Sequence, residues 1–436
     1  MKNNVKTIRS LNYLAAFSCI GGTCEDNCCI GWDVDIDLKT YQKYQKVTDP
    51  ELKTLYKTKI QPYPYFFSED VDYARVTLGK NKRCPFLNEQ GLCRTQAKLG
   101  ETYLSNVCAT YPRMSNEIDG VLENTLTLSC PEAARLVLLN PNGLSWVENT
   151  TPPPRVIVNM NIQTTSPQYK KHPVKHFHAL REMSVLLLSD RRFPIWERLL
   201  HLGEVFEALS EAHEHKKVNT FPEILSHFKL VQGQGTWTAP LSISPLEGAA
   251  TQLHRVDDLI ARLKVFSEID SQKFVAYTKT LQAAFEFDPK TKKSKPSAYL
   301  SLHDQTYQLF EAEHGYILEN YLINFVYKNL FPFTESENLF EAYTMLALRF
   351  VMIRTYLVAI GGGTRTGLET KEGLKTTSEP RFETGLKPEQ AVAFIQTFAK
   401  AIEHHKNFSQ NTLAVLRGQQ LNNLRYMEAL LVEVQF

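Results

Sequence analysis

The stretch Cys19-Ile20-Gly21-Gly22-Thr23-Cys24-Glu25-Asp26-Asn27-Cys28-Cys29-Ile30-Gly31-Trp32 decides how this chain is read. Four thiols, Cys19, Cys24, Cys28 and Cys29, fall within eleven positions, beside the charged Glu25 and Asp26. Gly21, Gly22 and Gly31 flank them and permit the tight loop such a run needs. Further out, Cys84, Cys93, Cys108 and Cys130 complete a set of eight, and no cysteine follows in the 436-residue chain. Proline follows Cys84 and Cys130, which stiffens the chain there. Cys93 comes just after the turn sequence Asn88-Glu89-Gln90-Gly91.

Three uses of these thiols compete. A disulfide framework belongs to small secreted domains, and the vicinal pair Cys28-Cys29 resists ordinary disulfide geometry. Inert buried cysteine suits scattered single residues, not four thiols beside charges. Metal ligation fits better, because thiolates are soft ligands that select zinc or iron–sulfur clusters, and four complete a centre. No pair of Cys-x2-Cys knuckles is present, so the irregular spacing favours a cluster of the [4Fe-4S] kind, with zinc second. Eight thiols suffice for two four-ligand centres, or for one centre with spares. This reading requires at least four sulfurs to converge in space.

Composition narrows the function classes. Hydrophobic residues make up 43% of the chain, enough for a packed core. With 49 basic and 47 acidic residues the net charge is +2, which gives no electrostatic footprint for nucleic acid. The basic run Lys290 to Lys295 reads as a solvated loop. No apolar run is read as a membrane span. Residues 11–19 contain Asn12 and Tyr13 and lack a small-residue cleavage pattern, so they read as part of the mature fold, and the expected location is cytoplasmic.

The cysteine run followed by Gly31-Trp32, then Cys84-Pro85-Phe86-Leu87, Gly91-Leu92-Cys93 and Cys108-Ala109-Thr110-Tyr111-Pro112-Arg113, resembles the flagellin lysine N-methylases. That family shares its cysteine signature with proteins described as zinc- or iron-chelating. Leu318-Glu319-Asn320-Tyr321-Leu322-Ile323-Asn324, running into Leu330-Phe331-Pro332, agrees with it. So does Ala401-Ile402-Glu403-His404-His405, although His405 stands where the family pattern is expected to carry asparagine. The resemblance implies transfer of methyl groups from S-adenosylmethionine to lysine side chains of flagellin, in a protein with an iron–sulfur centre. Rival readings are a non-catalytic cluster-carrying assembly module and a redox sensor using Cys28 and Cys29.

The expected fold is mainly α, an α+β protein. A small cysteine-rich domain over 1–150 packs on an all-helical domain over 166–436. In the first, 41–56 reads as one helix capped by Asp37, and 71–78 and 121–128 alternate as strands, as a small antiparallel pair. Beyond 165, helices are expected over 174–188, 195–209, 253–269, 299–330, 339–360, 388–402 and 413–434. Loops are expected over 233–240 and 287–296.

Methyl transfer needs a neutral amine, so a site must desolvate the lysine or supply a base. Glu319 is the candidate base, with Asn320, Tyr321 and Asn324 about one turn apart as pocket-lining groups. Packing amides and a solvated carboxylate are the plainer account of the same residues. Arg113 is a candidate for holding a carboxylate of the cofactor, or for pairing with an acid near the cluster. The glycine-rich Gly361-Gly362-Gly363-Thr364-Arg365-Thr366-Gly367 reads as a helix stop and loop, not as a nucleotide turn. A radical-type Cys-x3-Cys-x2-Cys signature is absent, since Cys28 and Cys29 are adjacent. His404 and His405 are read as surface residues.

Overall fold

The structure is a computed structural model that describes residues 7–149, 153–238, 243–363, 385–403 and 408–432. It divides into two compact units. Met1–Val137 with Leu144–Gln163 forms the first, and Leu138–Gly143 with Thr164–Phe436 the second.

The first unit holds all eight described strands: β1 (Thr7–Leu11), β2 (Asp35–Ile36), β3 (Ile60–Pro62), β4 (Ala74–Val76), β5 (Arg113–Ile118), β6 (Val121–Leu126), β7 (Trp146–Asn149) and β8 (Val158–Ile162). They form a five-stranded sheet in the order β7-β1-β6-β5-β8 and a three-stranded sheet in the order β2-β4-β3. Residues 7–11 therefore belong to the fold, with β1 parallel to β6 and antiparallel to β7. Residues 121–128 do carry a strand, but its antiparallel partner is the unforeseen β5, joined through a turn at Asp119 and Gly120. β4 lies in the other sheet. The two alternating segments expected to pair thus do not.

Five helices complete this unit: α1 (Leu38–Tyr44), α2 (Pro50–Lys59), α3 (Arg94–Leu99), α4 (Asn106–Thr110) and α5 (Pro131–Leu138), the last ending at the unit boundary. Asp37 does cap α1, accepting from the Thr40 amide at 2.9 Å, and its second oxygen accepts from the Asn106 amide at the start of α4. The single helix expected over 41–56 is two helices. Pro50 cannot sit inside a helix, so it opens α2 with Asp49 as cap. The Tyr44 and Tyr56 rings stack 3.9 Å apart, with Phe86 tilted against Tyr56. Around them Val34, Ile36, Leu52, Ile60 and Val76 close a core that also contains Cys84 and borders Cys29 and Cys93.

Among the described residues the second unit is helical: α6 (Phe177–Leu188), α7 (Ile195–Glu214), α8 (Phe221–Gln234), α9 (Pro245–Arg262), α10 (Gln272–Ala284), α11 (Pro296–Leu302), α12 (Gln308–His314), α13 (Tyr316–Lys328), α14 (Leu339–Gly361), α15 (Pro388–Phe398), α16 (Phe408–Gly418) and α17 (Leu424–Leu431). The mainly α, α+β class expected from the sequence holds. α14 is its axis, packed by α7, α9, α10, α11, α15 and α17. It is long and apolar enough to cross a membrane, contrary to the sequence reading, and 94% of its apolar window is buried inside the protein. Arg354, fully buried on α14, donates to the carbonyl oxygens of Leu430 and Leu431 and to Gln252 Oε1. It thereby satisfies backbone acceptors at the end of α17 that no helical amide reaches.

Several helices differ from their expected spans. The stretch 299–330 is broken by a π-helical turn at His303–Tyr307 and again at Gly315. Residues 413–434 divide into α16 and α17, with Asn423 capping the latter. α8 and α10 were not anticipated. Gly235, at φ 67°, ends α8 at the start of an expected loop. Gly362 caps α14 as expected, whereas Thr364 to Gly367 lie outside the described residues.

Candidate metal centre

The thiol region is assembled by backbone hydrogen bonds among four segments. The Cys84 amide donates to Cys29 O at 2.9 Å, and Gly31 N donates to Lys82 O. Asn27 clamps two loops: its Oδ1 accepts from the Cys29 amide and its Nδ2 donates to Gly91 O, both at 2.8 Å. Gly91, at φ 75°, closes the expected turn, with its amide on Asn88 O. The Leu87–Cys93 bridge returns the chain to Cys84. Cys93 precedes α3, Cys108 lies in the first turn of α4 with its amide on Ser105 Oγ, and Cys130 precedes α5. Trp32 Nε1 donates to Cys28 O, and the Trp32 ring meets Tyr111 edge-on at 5.6 Å.

This scaffold links the eight thiols in a chain of electrostatic neighbours, in two groups joined through Cys28. Cys29 is hydrogen-bonded to Cys28 and feels Cys108 and Cys84. Cys108 in turn feels Cys93, Cys84 and Cys28. On the other side Cys24 feels Cys28 and Cys19, and Cys130 feels Cys24 and Cys28. The tighter expectation, four sulfurs around one point, is not met. Among the described residues no three His, Cys, Asp or Glu side chains are placed to hold a metal ion. Neutral thiols pack at van der Waals distance, where nothing forces them onto a common centre.

The donor chemistry nevertheless fits a soft cation. Burial, followed by the charges of neighbouring thiols, pushes Cys84 up to about 11. Burial pushes Cys108 up to about 12, although its side chain still touches solvent. Cys130 is raised to about 11 by burial, against the Ala133 and Glu132 amides that bond to it. Cys29 is raised further, first by its bond to Cys28 and then by burial. Such thiols resist losing their protons together, and a bound cation reverses that balance. Nearby, Arg135 bonds Glu25 at 2.6 Å and Glu132 at 2.8 Å, so this arginine is already engaged by carboxylates.

Arg113 opens β5 with its guanidinium 5.0 Å from the Phe17 ring, and it forms no ion pair among the described residues. It lines a cavity of about 230 Å³ with Ser10, Asn12, Ser115 and Asn124. Arg155, which the sequence reading missed, lines the same cavity while donating to Leu104 O and Thr102 O.

The α13 candidates point to different partners. Glu319 is not a solvated carboxylate. Arg191 Nη2 at 2.8 Å and the buried Arg198 Nη1 at 2.7 Å both pair with it. Asn320 Nδ2 donates to Asn140 O at 2.7 Å, while its Oδ1 is buried without a partner. Tyr321 turns the other way and donates to Glu403 Oε1 at 2.7 Å. Glu403 also pairs with Lys328 at 3.1 Å, with both side chains buried. Burial opposes ionisation of Glu403, but the Lys328 and Arg349 charges outweigh it and hold the carboxyl low. Asn324 is buried as well. Tyr321 and Lys328 converge on Glu403, with the charge of Arg349 acting on both Tyr321 and Glu403, and Lys328 was not among the sequence candidates. His404 and His405 lie outside the described residues.

Comparison with known proteins adds the family. A segment of 145 residues is 30% identical to the lysine-N-methylase of Salmonella typhimurium, covering 33% of this chain and 35% of that protein. The match thus spans about a third of that relative's length. A segment of 143 residues is 30% identical to the flagellar biosynthetic protein FliU of Salmonella muenchen and covers 83% of it. No solved structure matches. The family model described as the FliB lysine N-methylase C-terminal domain matches residues 181–430, more than half of the chain and nearly all of the helical unit. The chain therefore belongs to the FliB lysine N-methylase family.

Proposed function

We propose that this protein is a protein-lysine N-methyltransferase that transfers methyl groups from S-adenosylmethionine to lysines of flagellin in the cytoplasm. The observation that carries this reading is the family match over residues 181–430. In the reaction the lone pair of a neutral lysine amine attacks the sulfonium methyl. The carbon–sulfur bond breaks, its electron pair returns to sulfur as a thioether, and the amine's proton leaves to solvent or a base. Glu319 does not serve as that base in this proposal, because two arginines already hold its charge. Arg113 is assigned to the donor's carboxylate, since it lines a cavity of mixed polar and apolar surface and forms no ion pair among the described residues.

The cysteine region is assigned to a soft-metal centre, an iron–sulfur cluster in preference to zinc, held by sulfurs drawn from Cys19, Cys24, Cys28, Cys29, Cys84, Cys93, Cys108 and Cys130. When bound, such a group would cross-link the four chain segments that carry these cysteines. Asn27 and the Cys84–Cys29 backbone bond hold those segments in register. Incubating purified flagellin with the protein and methyl-labelled S-adenosylmethionine tests the activity, and absence of label on lysine refutes it. Anaerobic purification followed by iron, sulfide and zinc analysis tests the centre. Cys24→Ala and Cys29→Ala are expected to lose metal, and full metal content in both would overturn the ligand assignment.

A further inference from the structure

The family reading leaves a group of carboxylates in the helical unit unexplained. Glu204 and Glu207 lie three residues apart on α7, on adjacent turns of one side. Glu428 comes from α17, which packs on α7. The three are close enough that Glu428 and Glu207 act on Glu204, and Glu207 acts on Glu428. None forms an ion pair among the described residues. Their identified company is the Thr238 hydroxyl, which donates to Glu204 Oε2 at 3.0 Å, and the charge of the exposed Arg425.

A second observation comes from α14. Tyr343 is fully buried, and its hydroxyl has no hydrogen-bond partner. Native proteins rarely tolerate this without a ligand or water to complete the bond. The hydroxyl lies against Gly203, immediately before Glu204: a Cβ at Gly203 would stand 2.6 Å from the Tyr343 oxygen and 2.8 Å from Leu424. The carboxylates acting on this hydroxyl are Glu428, Glu207 and Glu204. Burial and mutual repulsion push Glu204 and Glu428 above the usual carboxylate range. Three carboxyl groups and an unsatisfied hydroxyl, drawn from three helices, have only the exposed Arg425 as a cationic neighbour among the described residues.

We propose that Glu204, Glu207, Glu428 and the Tyr343 hydroxyl form a recognition site for the ammonium group of a lysine side chain on the polypeptide substrate. The carboxylates are not placed to share a bare metal ion. An ammonium is larger and carries three N–H donors that match separate carboxylate oxygens. A sulfonium has no N–H and would leave those oxygens unsatisfied. Trp237, next to Thr238 and stacked on His201 at 4.2 Å, borders the site with an aromatic cluster against which the lysine stem would pack. This site rests on the lysine-methylase reading for the identity of its ligand.

The test uses the full chain. Methylation of purified flagellin is measured over a range of flagellin concentrations for the wild type, Tyr343→Phe and the double variant Glu204→Gln/Glu428→Gln, with thermal melting to verify folding. A rise in KM of about tenfold or more is expected for the double variant, with kcat retained, and a smaller rise for Tyr343→Phe. Unchanged KM, or a fall in kcat alone, overturns the site. Quenching of tryptophan fluorescence by a lysine peptide, against the same peptide carrying norleucine, is read without methyl donor. Lysine-selective quenching that the double variant loses supports the site even if the wild type transfers no methyl, an outcome that would sink the enzyme reading alone. Equal quenching by both peptides overturns it.

Discussion

Replacing Glu319 with glutamine separates a structural carboxylate from a catalytic one. The side chain is 5% exposed and meets Arg198, itself 9% exposed, at 2.7 Å. Arg198 also donates to Leu188 O and Phe193 O, so it ties the end of α6 to the start of α7. Neutralising Glu319 leaves that guanidinium buried without its counter-charge, a change that costs about 3–5 kcal/mol. Arg191 is half exposed, and its pair adds at most ~1 kcal/mol. Urea denaturation of Glu319→Gln should therefore show a loss of roughly 3 kcal/mol with an unchanged slope. The double variant Arg198→Met/Glu319→Gln should recover part of it, because the orphaned charge is gone. Methyl transfer per folded molecule should fall only modestly. A Glu319→Gln variant as stable as the wild type but without methyl transfer would refute the argument and make Glu319 the base.

Two further outcomes follow from single residues. Burial lowers His201 from about 6.5 to about 4, outweighing the charge of Asp190. A depressed imidazole keeps its proton off in the folded state while the unfolded chain takes it up. Stability should thus fall as pH drops through the window from 6.5 to 4, by on the order of 3 kcal/mol in total. The non-titrating His201→Phe, which retains the stack on Trp237, should flatten that part of the pH–stability curve, and parallel curves would count against the assignment. Gly203→Ala should lose about 1–2 kcal/mol, because a clash at 2.6 Å with the buried Tyr343 exceeds the helix-propensity gain. Gly233→Ala on α8, with open space around it, should instead gain up to ~1 kcal/mol, and equal shifts in thermal melting for the two would contradict the packing argument.

The parts of the fold legible in the sequence are those governed by local rules. The α14 run was legible because its apolar residues are nearly continuous and glycine stops it. Asp37 was legible as a cap because a short carboxylate before a helix accepts the exposed amides. What escaped depended on partners distant in the chain. β5, Arg113–Ile118, alternates poorly because four successive residues are buried, and its identity as a strand comes from β6 and β8 on its two sides. α10 spreads its apolar residues around the helix rather than along one face, so its period does not stand out, yet Phe274 and Thr278 pack it onto α14 through Tyr356. Pro50 marks the split into α1 and α2 within the sequence itself, with Asp49 before it as the cap of α2.

The same division governs the sites. The thiols were visible because cysteine is rare and its crowding has few explanations, and Cys24, Cys29, Cys84, Cys108 and Cys130 all feel Cys28, although no four sulfurs share one point among the described residues. The α13 residues were visible only as a pattern, and pattern misjudged them. A helix advances about 100° per residue, so Asn320 and Tyr321 face different neighbours and answer to Asn140 and Glu403 respectively. Glu204, Glu207, Tyr343 and Glu428 were not visible at all. Each is ordinary in its own helix, and only the close approach that Gly203 allows sets them against one another. A hydroxyl buried against carboxylates without a partner is a cost the fold retains, so the residues that create it are the ones whose replacement by uncharged isosteres should stabilise the protein while weakening its hold on substrate lysine.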